Sequence, residues 1–108
     1  MLETYKYTVD FSKAKSHVEI HEIIKGSLDF PDYYAGNYYG LWDCLTDMLG
    51  DINYIEVLGL ENVKSISSED YTDILRLLSA TKHAYDDAFS DRFFVTIVHG
   101  DGTREEIE

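Results

Sequence analysis

The stretch Phe93-Phe94-Val95-Thr96-Ile97-Val98 limits the fold more than any other part of the chain. It places five apolar side chains and one threonine in six positions, nearly all of them strand formers. A nearly continuous apolar run of strand length suits a strand covered on both faces, the usual state of strands in parallel sheets. Two further segments can join it. Tyr5-Lys6-Tyr7-Thr8-Val9 is a first strand of weak alternation, and Asn53-Tyr54-Ile55-Glu56-Val57-Leu58 is a second.

Helical segments lie between these strands. Ser16-His17-Val18-Glu19 is an S-x-x-E capping box, followed by Val18, Ile20, Ile23, Ile24 and Leu28 near helical spacing, with Gly26 close to the end. Pro31, the only proline, sets an extended turn through which that helix cannot continue. A second helix is predicted from about Asn37 to Leu49. Its stripe of Leu41, Cys44, Leu45, Met48 and Leu49 must face the core, which turns Tyr39, Asp43, Thr46 and Asp47 outward and leaves Trp42 on the flank. Gly50-Asp51 ends it. Ser67 or Ser68 caps a third helix reaching about Tyr85, with Ile74, Leu75, Leu77 and Leu78 as its apolar band. Gly100-Asp101-Gly102 is a turn, and the acidic tail beyond it can pair back as a short edge strand. The order β-α-α-β-α-β predicts an α/β fold, a parallel sheet with helical crossovers on one or both faces, in a single domain over residues 1–108.

Charge narrows the function. Twenty-one acids against nine bases give a net charge of −12, which repels nucleic acid and anionic lipid and attracts basic partners. Between Lys25 and Lys64 there is no Lys or Arg, while Asp29, Asp32, Asp43, Asp47, Asp51, Glu56 and Glu61 are all acidic. No apolar run reaches membrane-spanning length and no signal-peptide pattern opens the chain, so a cytoplasmic protein is expected. The single cysteine, Cys44, excludes an internal disulfide and agrees with a reducing compartment.

Catalytic and metal motifs are poorly represented. His17 and His21 stand four apart, but the sequence is H-V-E-I-H and not the H-E-x-x-H of zinc proteases. They are expected to be partly exposed helix histidines, with no metal and no cofactor. Cys44 lies on the core stripe and is expected to be a small buried apolar residue. There is no nucleophile elbow and no Gly-rich phosphate loop, and Gly100-Asp101-Gly102 is too short for a calcium loop. Asp43 and Asp47 sit one turn apart on one exposed face, which supplies neither the cleft nor the contrasting environments that paired-carboxylate catalysis needs. No enzyme is expected.

The segment Phe30 to Leu49 combines four tyrosines, the only tryptophan and several carboxylates. Single-strand RNA platforms also use aromatics, but beside a basic groove, and the field here has the opposite sign. Rigid rings beside carboxylates imitate an RNA strand, and such a surface suits a protein whose own site binds RNA. Tyr34 and Tyr38 can pack inward while Tyr33 and Tyr39 face out.

The run Phe30-Pro31-Asp32-Tyr33-Tyr34-Ala35-Gly36-Asn37, with Leu41-Trp42-Asp43-Cys44-Leu45 after it, resembles the central segment of the barstar family, intracellular inhibitors of barnase-type ribonucleases. The dense match covers about twenty residues, with a looser correspondence of element order over most of the rest. The resemblance implies a three-stranded parallel sheet packed with three to four helices. It implies that Asp43 enters the nuclease's phosphate site, that Tyr33 packs on its catalytic histidine, and that Asn37, Trp42 and Thr46 lie in or beside the same surface. Tyr38, Tyr39 and Asp47 complete the expected partner-binding set. The partner so implied is a basic ribonuclease or ribonuclease-toxin domain, bound 1:1 by a monomer, with no nucleic acid and no membrane involved. A barstar-like regulatory module with a partner that is not a nuclease is the alternative. Three positions depart from the family pattern: Tyr39 and Ala80 stand where acids are usual, and Ala35 stands for a glycine. Asp47 can replace part of that charge.

Overall fold

The computed structural model describes residues 2–108. The chain runs β1 (Thr4–Asp10), α1 (His17–Ser27), α2 (Tyr38–Asp47), β2 (Ile52–Leu58), α3 (Leu60–Ile66), α4 (Ser68–Lys82), β3 (Phe93–Val98) and β4 (Arg104–Glu106). Short 3-10 turns follow α2 at Met48–Gly50 and precede β3 at Ser90–Arg92. The sheet order is β1-β2-β3-β4. β1 and β2 pair in parallel with Tyr7 opposite Ile55, and β2 and β3 pair in parallel with Ile55 opposite Val95. Each parallel step is bridged by a pair of helices, α1–α2 and then α3–α4, because parallel neighbours need a long crossover. β4 adds antiparallel to β3 with Val98 opposite Arg104, so the acidic tail does form the edge strand.

All helices lie on one face of the sheet. Val9 on β1, Asn53, Ile55 and Val57 on β2, and Phe93, Val95 and Ile97 on β3 are buried beneath them. The other face is open and partly polar. There Tyr54 stacks on Phe94 at 4.9 Å, Arg104 pairs with Glu56 at 2.7 Å, and the Thr96 hydroxyl donates to Glu106 at 2.6 Å. The run 93–98 is therefore buried on one face only, with Phe94, Thr96 and Val98 half-exposed. Five apolar residues in six hid the alternation.

Two more boundaries differ from the sequence expectation. α4 ends at Lys82 and not near Tyr85, because Tyr85, Asp86 and Asp87 all take left-handed backbone, φ +57°, +55° and +64°. The seven-residue α3 was not expected as a separate helix. Gly59 opens it at φ +76°, and a Cβ there would meet the Ser12 amide nitrogen at 2.4 Å, so only glycine allows β2 to turn beside the β1–α1 loop. On α1, Ser16 caps as expected, its hydroxyl accepting from the Glu19 amide at 3.2 Å, whereas Val18 is exposed and takes no part in the core.

α2 is fixed from within. Leu41, Cys44, Leu45 and Leu49 are buried, and Met48 and Trp42 pack partly against the same core. Buried Asn53 donates to the Met48 carbonyl at 2.7 Å and the Asp51 carbonyl at 3.1 Å, tying the end of α2 to the start of β2. Arg92 adds a bond to the Leu49 carbonyl at 3.1 Å. Among the described residues no helix is long and apolar enough to cross a membrane.

Candidate functional site

The site begins where α1 stops. Asp29 takes left-handed backbone at φ +55°, and the Phe30 amide reaches back to the Lys25 carbonyl at 2.9 Å, closing the helix with a Schellman turn. Phe30 is thereby buried, and Pro31 directs the chain out of the core. The Tyr34 amide then returns to the Pro31 carbonyl at 3.0 Å, a turn that separates the two adjacent tyrosines. Tyr33 projects into solvent at 77% exposure. Tyr34 turns inward, its ring 5.2 Å from Phe30 and its hydroxyl 2.6 Å from His21 Nδ1. Burial raises the Tyr34 phenol far above its ordinary value, so it remains a neutral phenol.

Asn37 ends the loop and caps α2, its side-chain oxygen accepting from the Gly40 amide at 2.8 Å. Tyr38 and Tyr39 follow with rings edge to face at 5.7 Å. Tyr39 is 79% exposed, and Tyr38, which the sequence allowed to pack inward, is 37% exposed instead. One turn on, Asp43 faces solvent, and among the described residues its carboxylate has no cation or hydrogen-bond donor. Asp47 is also exposed. The Thr46 hydroxyl is occupied by the helix itself, donating to the Trp42 carbonyl at 2.9 Å, and Thr46 and Trp42 are both half-buried. Of the eight expected residues, then, Tyr33, Tyr38, Tyr39, Asp43 and Asp47 present free side chains, while Asn37, Trp42 and Thr46 chiefly shape the helix that carries them.

The electrostatics are those of a predominantly acidic surface, with Lys25 pairing with Asp32 at 3.7 Å at its edge. Burial pushes the Cys44 thiol up, and the carboxylates of Asp47 and Asp43 push it in the same direction. Tyr7 is raised by burial, by Tyr5 and by Asp29 and Asp51. These tyrosines escaped the sequence reading. Tyr5 and Tyr7, stacked at 6.2 Å, line a groove with Asp29, Asp47 and Asp51 at the far end of α2. A second cleft at the near end joins Tyr38 and Tyr39 to Glu69, Asp70 and Asp73 of α4. Neither assembly is local in sequence. Only the pairing of β1 with β2 and the packing of α4 against α2 create them.

The two histidines lie on α1 as expected, but with unequal exposure. His17 is exposed, but the His21 side chain is only 11% exposed. His17 Nδ1 lies 2.6 Å from Asp70 Oδ2, and the two imidazoles meet at 4.7 Å. Burial lowers the His21 pKa and the neighbouring His17 lowers it further, against the opposing pull of Asp70 and Asp73.

Comparison with known proteins completes the description. Residues 5–97 match the family model described as Barstar (barnase inhibitor). A 27-residue segment is 59% identical to a Bacillus subtilis (strain 168) protein named "Putative ribonuclease inhibitor YrdF". That segment is 25% of this chain and spans 30% of the relative.

Proposed function

The chain belongs to the barstar family, and from that premise we propose that it is a protein inhibitor, or immunity protein, of a basic ribonuclease. The family's description is of an inhibitor and not of an enzyme. The observation that carries the reading is Asp43, a carboxylate held out by a helix whose opposite side buries Leu41, Cys44 and Leu45, and left without a cation among the described residues. Such a group suits the cationic pocket that holds a scissile phosphate, where charge-assisted hydrogen bonds are at their strongest. Tyr33 and Tyr39 beside it supply rigid area at low entropic cost, and Tyr is favoured at interface hot spots.

In this reading Tyr33, Asn37, Tyr38, Tyr39, Trp42, Asp43, Thr46 and Asp47 form the face laid over the enzyme's active site, one inhibitor to one nuclease, in the cytoplasm. Covering the site requires no chemistry from the inhibitor. The partner is a basic ribonuclease or ribonuclease-toxin domain. The acids absent at Tyr39 and Ala80 favour a nuclease whose cationic groups are spaced differently from the usual family partner. Glu69 and Asp73 supply charge at one end of α2, and Asp47 and Asp51 at the other.

Titration against a panel of basic secreted and toxin-type ribonucleases tests this. Stoichiometric loss of one enzyme's activity is expected, with association slowed by salt as the steering field is screened. Failure to inhibit any of them, with another protein captured through the Tyr33–Asp43 face, would favour the regulatory module.

A further inference from the structure

We propose that His17, His21 and Asp70 form a divalent transition-metal site, best suited to Zn²⁺, that clamps α1 to α4 behind the tyrosine loop. The site stands independently of the inhibitor reading, since none of its three ligands belongs to the proposed binding face. Their ligating atoms all lie within 4.8 Å of one another. Two imidazoles and a carboxylate are a donor set that zinc takes readily, with three protein ligands and one open position.

Three features make this more than a chance cluster. Asp70 is the third residue after the N-cap Ser67, where an acid ordinarily reaches back to the cap residue's amide. That amide already donates to the Val63 carbonyl at 2.8 Å, so the Asp70 carboxylate is released toward α1 even though its side chain is only 8% exposed. Next, His21 Nε2 lies 3.9 Å from Asp70 Oδ1, too far for a hydrogen bond. A zinc ion, with bonds of about 2.0–2.1 Å to nitrogen and about 2.0–2.2 Å to oxygen, bridges such a gap with a bent N–Zn–O angle. Finally, Tyr34 holds the other nitrogen of the same ring at 2.6 Å. With Nδ1–H donating to the Tyr34 oxygen, Nε2 keeps its lone pair for the metal, the arrangement by which outer-shell partners orient ligating histidines. His17, exposed and on the first turn of α1, can rotate to complete the set. The remaining position opens on the cleft that Gly36 and Tyr38 also line.

The sequence shows half of this. H-V-E-I-H sets two imidazoles on one helix face, but Asp70 lies 53 residues beyond His17 and only tertiary packing delivers it.

The test is calorimetric titration of the untagged, chelator-stripped chain with ZnCl₂, alongside thermal unfolding and the visible spectrum of the Co²⁺ form. One zinc per chain is expected, with the intense visible absorption of low-coordinate cobalt. At about a hundredfold excess over the dissociation constant, zinc should raise the melting temperature on the order of 10 °C. Tyr34→Phe, which keeps the ring and loses the hydroxyl, should weaken binding about 10- to 100-fold. His17→Gln, at an exposed position, and Asp70→Asn should each abolish the cobalt spectrum. The double variant His83→Gln/His99→Gln should keep it. The proposal is overturned if zinc stabilises no more than magnesium does, or if His17→Gln binds zinc as the native chain does.

Discussion

On the inner side of α2, Leu41, Cys44 and Leu45 are buried and the end of the helix is held by Asn53 and Arg92. On its outer side, Tyr39, Asp43 and Asp47 are exposed, and the Asp43 carboxylate meets no partner among the described residues. Ten residues thus carry two separate tasks, divided by the 100° step of the helix. The inner side contributes stability through apolar burial. The outer side contributes little to the fold and keeps rings and charges available. A residue's side of α2 should therefore decide whether its loss is felt in folding or in binding.

The largest effect should come from the inner side. Leu45→Ala removes a side chain with no exposure and should cost about 2–5 kcal/mol in urea unfolding, with the m-value unchanged. A cost under half a kcal/mol would erase the inner half of the contrast. Asn53→Ala, which strands the Met48 and Asp51 carbonyls, should cost about 1–3 kcal/mol by the same assay. Asn37→Ala sits on the border. It should lose about 1 kcal/mol as a missing N-cap and also loosen Tyr38 and Tyr39, so any ribonuclease bound would be released faster. If stability falls without a change in dissociation, the cap serves the fold alone.

Much of this division was legible in the residues. The 3-4 spacing of Leu41, Cys44, Leu45 and Met48 is a strong periodic signal, and Pro31 and Asn37 punctuate the chain where the loop and helix do change. Other features were not. The exposed half of β3 was hidden because Phe94 and Val98 are apolar yet lie on the open sheet face, where Phe94 is covered by Tyr54 and by the Lys82 ammonium at 4.5 Å. α3 is too short to show a period, with Leu60 and Val63 its only buried residues. The acidic groove around Tyr5 and Tyr7, and the Asp70 carboxylate beside His17, depend on contacts about fifty residues apart in the chain. Local pattern reports which face a residue occupies, and long-range pairing decides what it meets there.

The most direct measurement is Asp43→Ala, assayed for both properties on one preparation. Stability should stay within about 0.5 kcal/mol of the native chain, as for an exposed site without partners. Affinity for the inhibited ribonuclease should fall by about 3 kcal/mol or more, upwards of roughly 100-fold in Kd, because the enzyme's cationic pocket is left buried and unpaired. A variant that binds as tightly as the native chain, or one that loses several kcal/mol of stability, would contradict the division of α2 into a side that folds and a side that binds.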